Sequence, residues 1–207
     1  MEVLGVSLGG PKENSKEWWE ARYQSAQGPF LYSKEPSSFL IQNAHLFSAG
    51  GFVLDLASGE GRNAIPLALK NFRVLAIDFG ETAVHRAHEL AKASGAPSSL
   101  TLKKADLDFF LPELMTYDGI VAVDFRPAPS LLKNLVRGLK KDSFLMMENF
   151  TTPACLERKG LEVFETFKPG ELLKLVSDSH PSIRIVYYSE LGPENNKVYL
   201  IAKKVDM

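Results

Sequence analysis

A single cysteine, Cys155, cannot staple the fold, and a chain without disulfides fits a reducing compartment. Charge of either sign is equally lacking in excess: 24 basic residues stand against 25 acidic ones. That balance leaves no electrostatic footprint for nucleic acid or an anionic membrane, so a macromolecular polyanion is not the expected partner. No signal-like or long apolar segment opens or crosses the chain, and the expectation is a cytoplasmic protein. At 207 residues there is room for one domain with a real core and not for a second full one.

Familiar catalytic sets are missing too. His45 falls within a helical stretch, and His85 and His88 lie on the polar face of another, without a carboxylate or cysteine at ligand spacing, so no metal is expected. Tyr199 and Lys203 mimic a dehydrogenase Tyr/Lys pair. They fall in a strand, however, where ~3.3 Å per residue holds them about 13 Å apart.

What is present is concentrated in residues 51–63, GFVLDLASGEGRN. An apolar run over 52–56 reads as a strand, the small residues 57–61 as a tight turn, and the residues from Arg62 onward as a helix start. That is the arrangement that receives nucleotide-like ligands, because Gly59 and Gly61 admit positive φ and the helix aims free N–H groups at the ligand. Two cofactors fit the spacing. Gly59-x-Gly61-x-x-Ala64 followed by Asp78 matches the dinucleotide fingerprint. Asp55-x-x-x-Gly59-x-Gly61 adds a carboxylate directly before the loop, where a diphosphate is repelled and a cationic ligand attracted.

Asp55 and the glycine loop resemble the first motif of class I S-adenosylmethionine-dependent methyltransferases. More narrowly, VLDLASGEGRNAIPLA with Tyr32-Ser33-Lys34-Glu35-Pro36 looks like the small bacterial methyltransferases related to the tellurite-resistance enzymes. The resemblance implies S-adenosylmethionine as cofactor. The loop Ala57, Gly59, Gly61, Arg62 and Asn63 would cradle it, and Ala57 stands where the family has its first glycine. Asp78 would accept from the ribose hydroxyls beside Phe79. Asp106 would take the adenine amino group, with the backbone of Leu107 at the ring, and Asp124 at the end of the fourth strand is a further cofactor-binding candidate. The N-terminal region folds over the cofactor in that family, so Tyr32 is the expected cap. The implied acceptor is a small molecule: a thiol, a chalcogen oxyanion or similar.

Residues 124–129, DFRPAP, lack the Asn/Asp-Pro-Pro-aromatic motif of enzymes that methylate planar amino groups. The resembling enzymes often have a histidine near position 126. Arg126, Glu148 and Cys155 are the candidate substrate-wall residues, with Arg126 suited to an anion. Residues 151–168 show no sustained period and read as a lid or wall.

The expected fold is α/β, a Rossmann-like sheet of seven strands, mostly parallel, with helices on both faces. Its last two strands, 183–188 and 197–203, have no helix between them and must close it as an antiparallel hairpin. A helical cap over 1–48 precedes a methyltransferase domain over 49–207. An NAD-dependent dehydrogenase or a non-catalytic S-adenosylmethionine-binding protein are the alternatives.

Overall fold

The computed structural model describes residues 15–26, 28, 31, 34–152, 166–190 and 196–206. Tyr32, Cys155, the tail over 1–12 and most of the 151–168 connection therefore lie outside the described residues.

Helix α1 (Lys16–Ser25) begins at Ser15, whose side chain accepts from the Trp18 N–H, and α2 (Ser38–Asn43) begins at Ser37, which accepts from Leu40. Each cap satisfies one N–H that the first turn leaves open. Then follow β1 (Phe52–Leu56), α3 (Ala64–Leu69), β2 (Arg73–Asp78), α4 (Glu81–Ala93) and β3 (Leu100–Lys104). The second half runs β4 (Tyr117–Val123), α5 (Pro129–Gly138), β5 (Leu139–Phe150), α6 (Glu171–Ser179), β6 (Ile183–Glu190) and β7 (Lys197–Lys204).

The strands form one sheet in the order β3-β2-β1-β4-β5-β7-β6. β1 pairs in parallel with β2 and β4, and β7 is antiparallel to both β5 and β6. The seven-stranded sheet with its terminal hairpin is thus the fold expected from the sequence. Every residue of β4 is buried, as a central strand covered on both faces requires. Along β1 and β4 the side chains alternate. Leu54, Leu56, Ile120 and Ala122 join α5 and α6 on one side, and Val53 and Val121 join α2 and α3 on the other.

Gly119 is where the segment before β1 meets the sheet, since a Cβ there would lie 2.6 Å from the Phe47 ring. Two details concern the connections in the second half. β5 starts at Leu139, four residues before Ser143, through a bulge opposite Tyr117 and Gly119. The connection over 105–116 carries no helix and leaves Phe109, Leu111, Leu114 and Met115 exposed.

Candidate cofactor and acceptor site

The carboxyl ends of β1, β2, β3 and β4 meet at the glycine loop. The Ser58 N–H donates to the Ile77 carbonyl at 3.0 Å, tying the loop to β2. Gly59 and Gly61 take φ of +53° and +81°. A Cβ on Gly59 would lie 2.9 Å from the Tyr23 hydroxyl of α1, so the loop tolerates no side chain beneath the cap. Ala57 also stands at positive φ, +50°. An L residue in that region is disfavoured by roughly 1–2 kcal/mol, partly offset by the greater unfolded freedom of glycine. Ala57→Gly should therefore raise stability by about 0.5–1 kcal/mol, read as a higher urea midpoint at unchanged slope. A lower midpoint would mean that the methyl group packs usefully.

Asp55 is 1% exposed. Its Oδ2 is buried without a hydrogen-bond partner among the described residues. Burial pushes the carboxyl up to about 7, against the pull of Arg62, with nearby Asp78 adding to the rise. An unpaired carboxylate there is held at a cost, since buried charges are normally paired, and a cation arriving at the loop would relieve it.

Asp78 accepts from the Gly59 and Gly80 N–H groups, both at 2.8 Å, and burial raises its pKa despite these bonds. Next to it opens a cleft of about 670 Å³ lined by Lys16, Glu17, Glu20, Gln24, Phe79, Glu81, Lys104, Ala105 and Asp106. Phe79 and Asp106 thus share the cleft. Leu107 instead packs its side chain against the core. Asp106 carries an ion pair with Lys16 of α1 at 2.5 Å, and Lys16 reaches Asp108 as well, at 2.9 Å. Those contacts hold the Asp106 carboxyl below its ordinary value.

A chain of charges runs along the other side of the loop. Arg62 pairs with Asp124 at 2.5 Å, and Lys197 at the start of β7 lies 3.6 Å from the same carboxylate. Lys197 also binds Glu148, which accepts from the Ser37 hydroxyl as well. Asn63 accepts from the Ser37 N–H at 2.9 Å. Glu148 is 5% exposed. Its place in the sequence reading as a substrate wall is therefore qualified, because the structure holds it inside this network. Arg126 differs from its expectation more plainly. It is held by Glu171 at 2.5 Å and by the Thr166 carbonyl, and stacks on Phe167, so its charge is already matched and does not face an anion.

Sequence reasoning missed Lys16, Glu20, Tyr23, Ser37 and Lys197. The family resemblance placed the N-terminal region over the cofactor, but no local pattern in it named these residues as the ones that make the contacts.

Residues 53–142 match the family described as a methyltransferase domain. No curated protein matches the chain in sequence. Among solved structures, an S-adenosylmethionine-dependent methyltransferase from Aquifex aeolicus is similar at 21% identity and TM-score 0.70, over 90% of this chain and 98% of that one. One from Methanosarcina mazei is similar at 19% and 0.64, over 84% and 100%. The magnesium protoporphyrin IX methyltransferase from Synechocystis PCC 6803, solved with bound S-adenosylhomocysteine, is similar at 21% and 0.62, over 81% and 79%. At these identities the likeness of the three is one of fold.

Proposed function

We propose that this chain is an S-adenosylmethionine-dependent methyltransferase that moves a methyl group to a small-molecule acceptor at the carboxyl edge of its sheet. The observation that carries the reading is Asp55: a buried carboxylate with one unpartnered oxygen, set directly before a loop whose glycines sit at positive φ. A site of that kind suits a ligand with positive charge and no phosphate.

The residues present fit the cofactor. Asp55 would face its ammonium end, Asp78 its ribose hydroxyls, and Asp106 with the Leu107 backbone its adenine. Phe79 would lie beside the ring, with the loop from Ala57 to Asn63 beneath. S-adenosylmethionine supplies a methyl group already made electrophilic by its sulfonium. The chain's own task is then to align the acceptor and exclude water, and good alignment alone is worth up to ~7–11 kcal/mol in intramolecular reactions. No obligatory base is needed for a thiol, a chalcogen oxyanion or a free amine. The resemblance to the tellurite-resistance-type enzymes favours the first two. Because Arg126 is engaged by Glu171, an oxyanion would have to be positioned by other groups. Residues 1–48 serve as a cap on the domain over 49–207, and Tyr32 and Cys155 remain proposed parts of its walls.

Calorimetric titration with S-adenosylmethionine, S-adenosylhomocysteine and NAD tests the cofactor, and radiolabelled methyl transfer to thiols, selenite and tellurite tests the acceptor. Binding of NAD alone would overturn the first assignment. Methylation of none of the panel, with the cofactor bound, would overturn the second. Asp78→Ala should weaken S-adenosylhomocysteine binding by tenfold or more, about 1.4 kcal/mol. An unchanged dissociation constant would remove Asp78 from the ribose.

A further inference from the structure

Beside Asp78, the cleft is lined by a carboxylate of α1 that the glycine-loop pattern does not announce. Glu20 of α1 is half-buried and lines the cleft with Phe79 and Asp106. Its Oε1 accepts from the Thr82 hydroxyl and, at 3.2 Å, from the Thr82 N–H. Gly80, the residue before α4, offers no side chain to its own helix. Glu20 therefore supplies the missing cap from a distant segment. Its other oxygen, Oε2, has among the described residues a long 3.4 Å approach from Thr82 N and lies toward Gly80. A Cβ on Gly80 would stand 3.3 Å from Glu20 Oε2 and 3.2 Å from Asp78 Oδ1. The two acids thus converge on one glycine, and Glu20 raises the Asp78 pKa as a like charge would.

Two carboxylates facing each other in a cleft repel unless donors come between them. A vicinal diol brings two O–H donors, and hydrogen bonds from hydroxyl to carboxylate are among the strong ones. We propose that Glu20 is a cofactor-binding residue, and that the ribose diol is held between Asp78 and Glu20, one hydroxyl to each. This rests on the S-adenosylmethionine reading. It also gives α1 a part in binding: the helix completes the ribose site as well as covering it.

The test is calorimetric titration of S-adenosylhomocysteine and its 2′-deoxy and 3′-deoxy analogues into the wild type, Glu20→Gln and Thr82→Val. In Glu20→Gln the amide oxygen can keep the Thr82 contacts while its NH₂ replaces the free acceptor. That variant should bind S-adenosylhomocysteine about tenfold more weakly, roughly 1.4 kcal/mol. One deoxy analogue should bind the wild type about tenfold more weakly than the parent and bind Glu20→Gln no worse than the parent does. Thr82→Val, which removes only the hydroxyl contact to Glu20, should stay within about twofold of the wild type.

Wild-type affinity in Glu20→Gln overturns the proposal. So does an equal loss for all three ligands, or a Thr82→Val variant that reproduces the loss, since Glu20 would then only fasten α1. An affinity that depends on added Mg²⁺ and vanishes in EDTA would assign the two carboxylates to a cation instead. Failure of the wild type to bind S-adenosylhomocysteine at all would count against the cofactor reading itself.

Discussion

Asp55→Asn should make the ligand-free protein more stable at pH 8 and its cofactor binding much weaker. Burial pushes the Asp55 carboxyl up to about 7, well above its value in an unfolded chain. Between pH 4 and about 7 the folded protein holds a proton there that the unfolded chain has released. Stability contributed at this position is therefore full below the ordinary carboxylate range, is lost as pH rises toward 7, and stays lost above it. Asparagine imitates the protonated form and never ionises. The variant's advantage over the wild type should accordingly grow as pH rises from 4 to about 7 and be about 2–3 kcal/mol larger at pH 8 than at pH 5, read from urea midpoints at the two values.

Binding should move the other way. Removing one partner of a desolvated charge pair costs about 2–5 kcal/mol, and at the low end S-adenosylmethionine affinity at pH 8 falls roughly 30-fold. The loss should be similar for S-adenosylhomocysteine, which carries the same ammonium. Wild-type affinity should also rise with pH toward 7 and then level, because a cation is best received by the ionised carboxylate. A variant that is stabilised yet binds S-adenosylmethionine as tightly as the wild type would show that Asp55 is not the cofactor's electrostatic partner.

The loop was legible because its parts are close in sequence. Asp55, Gly59 and Gly61 lie within seven residues, and Asp78 follows at the end of the next strand, so a local pattern sufficed. The terminal hairpin was legible for a similar reason: no helix intervenes between β6 and β7. The cap was not. Lys16 meets Asp106 across 90 positions, Glu20 meets Thr82 across 62, and Ser37 meets Glu148 across 111. Each of these side chains reads locally as a solvated surface residue, and nothing in α1's weakly amphipathic pattern says what it lies against. Arg126 shows the converse. A strong cation at the end of β4 suggested an anion, but Glu171 is brought to it by a helix 45 positions later. The connection over 105–116 has no helix. Twelve extended residues can span ~40 Å, enough to cross the sheet without one.

Arg86→Met should release α1 from the domain and lower cofactor affinity with it. Arg86 lies on a helical stretch whose charged residues look solvated in sequence, yet its side chain is only 18% exposed and its Nε lies 2.6 Å from Glu60, itself 6% exposed. The same guanidinium donates to the carbonyls of Tyr23, Ala26 and Gly28, the groups that the end of α1 leaves without helical partners. Glu60 in turn accepts from the Leu31 N–H at 2.7 Å. One arginine thus ties the cap's carbonyls to the glycine loop's own acid. Losing it leaves a buried carboxylate unpaired, a change worth about 3 kcal/mol or more, and strips the C-terminal end of α1 of its anchor. Trp18 and Trp19 are the chain's only tryptophans and both lie on α1, so a red-shifted emission in native buffer reads the release directly. S-adenosylhomocysteine affinity should fall at least tenfold, about 1.4 kcal/mol, because Glu20 and Tyr23 leave with the helix. Adding Glu60→Gln to Arg86→Met should recover much of the stability, since no unpaired charge stays buried, while emission and affinity remain those of the single variant. If affinity recovered together with stability, α1 would be a passive cover and the wall it forms around the ribose would have no part in binding.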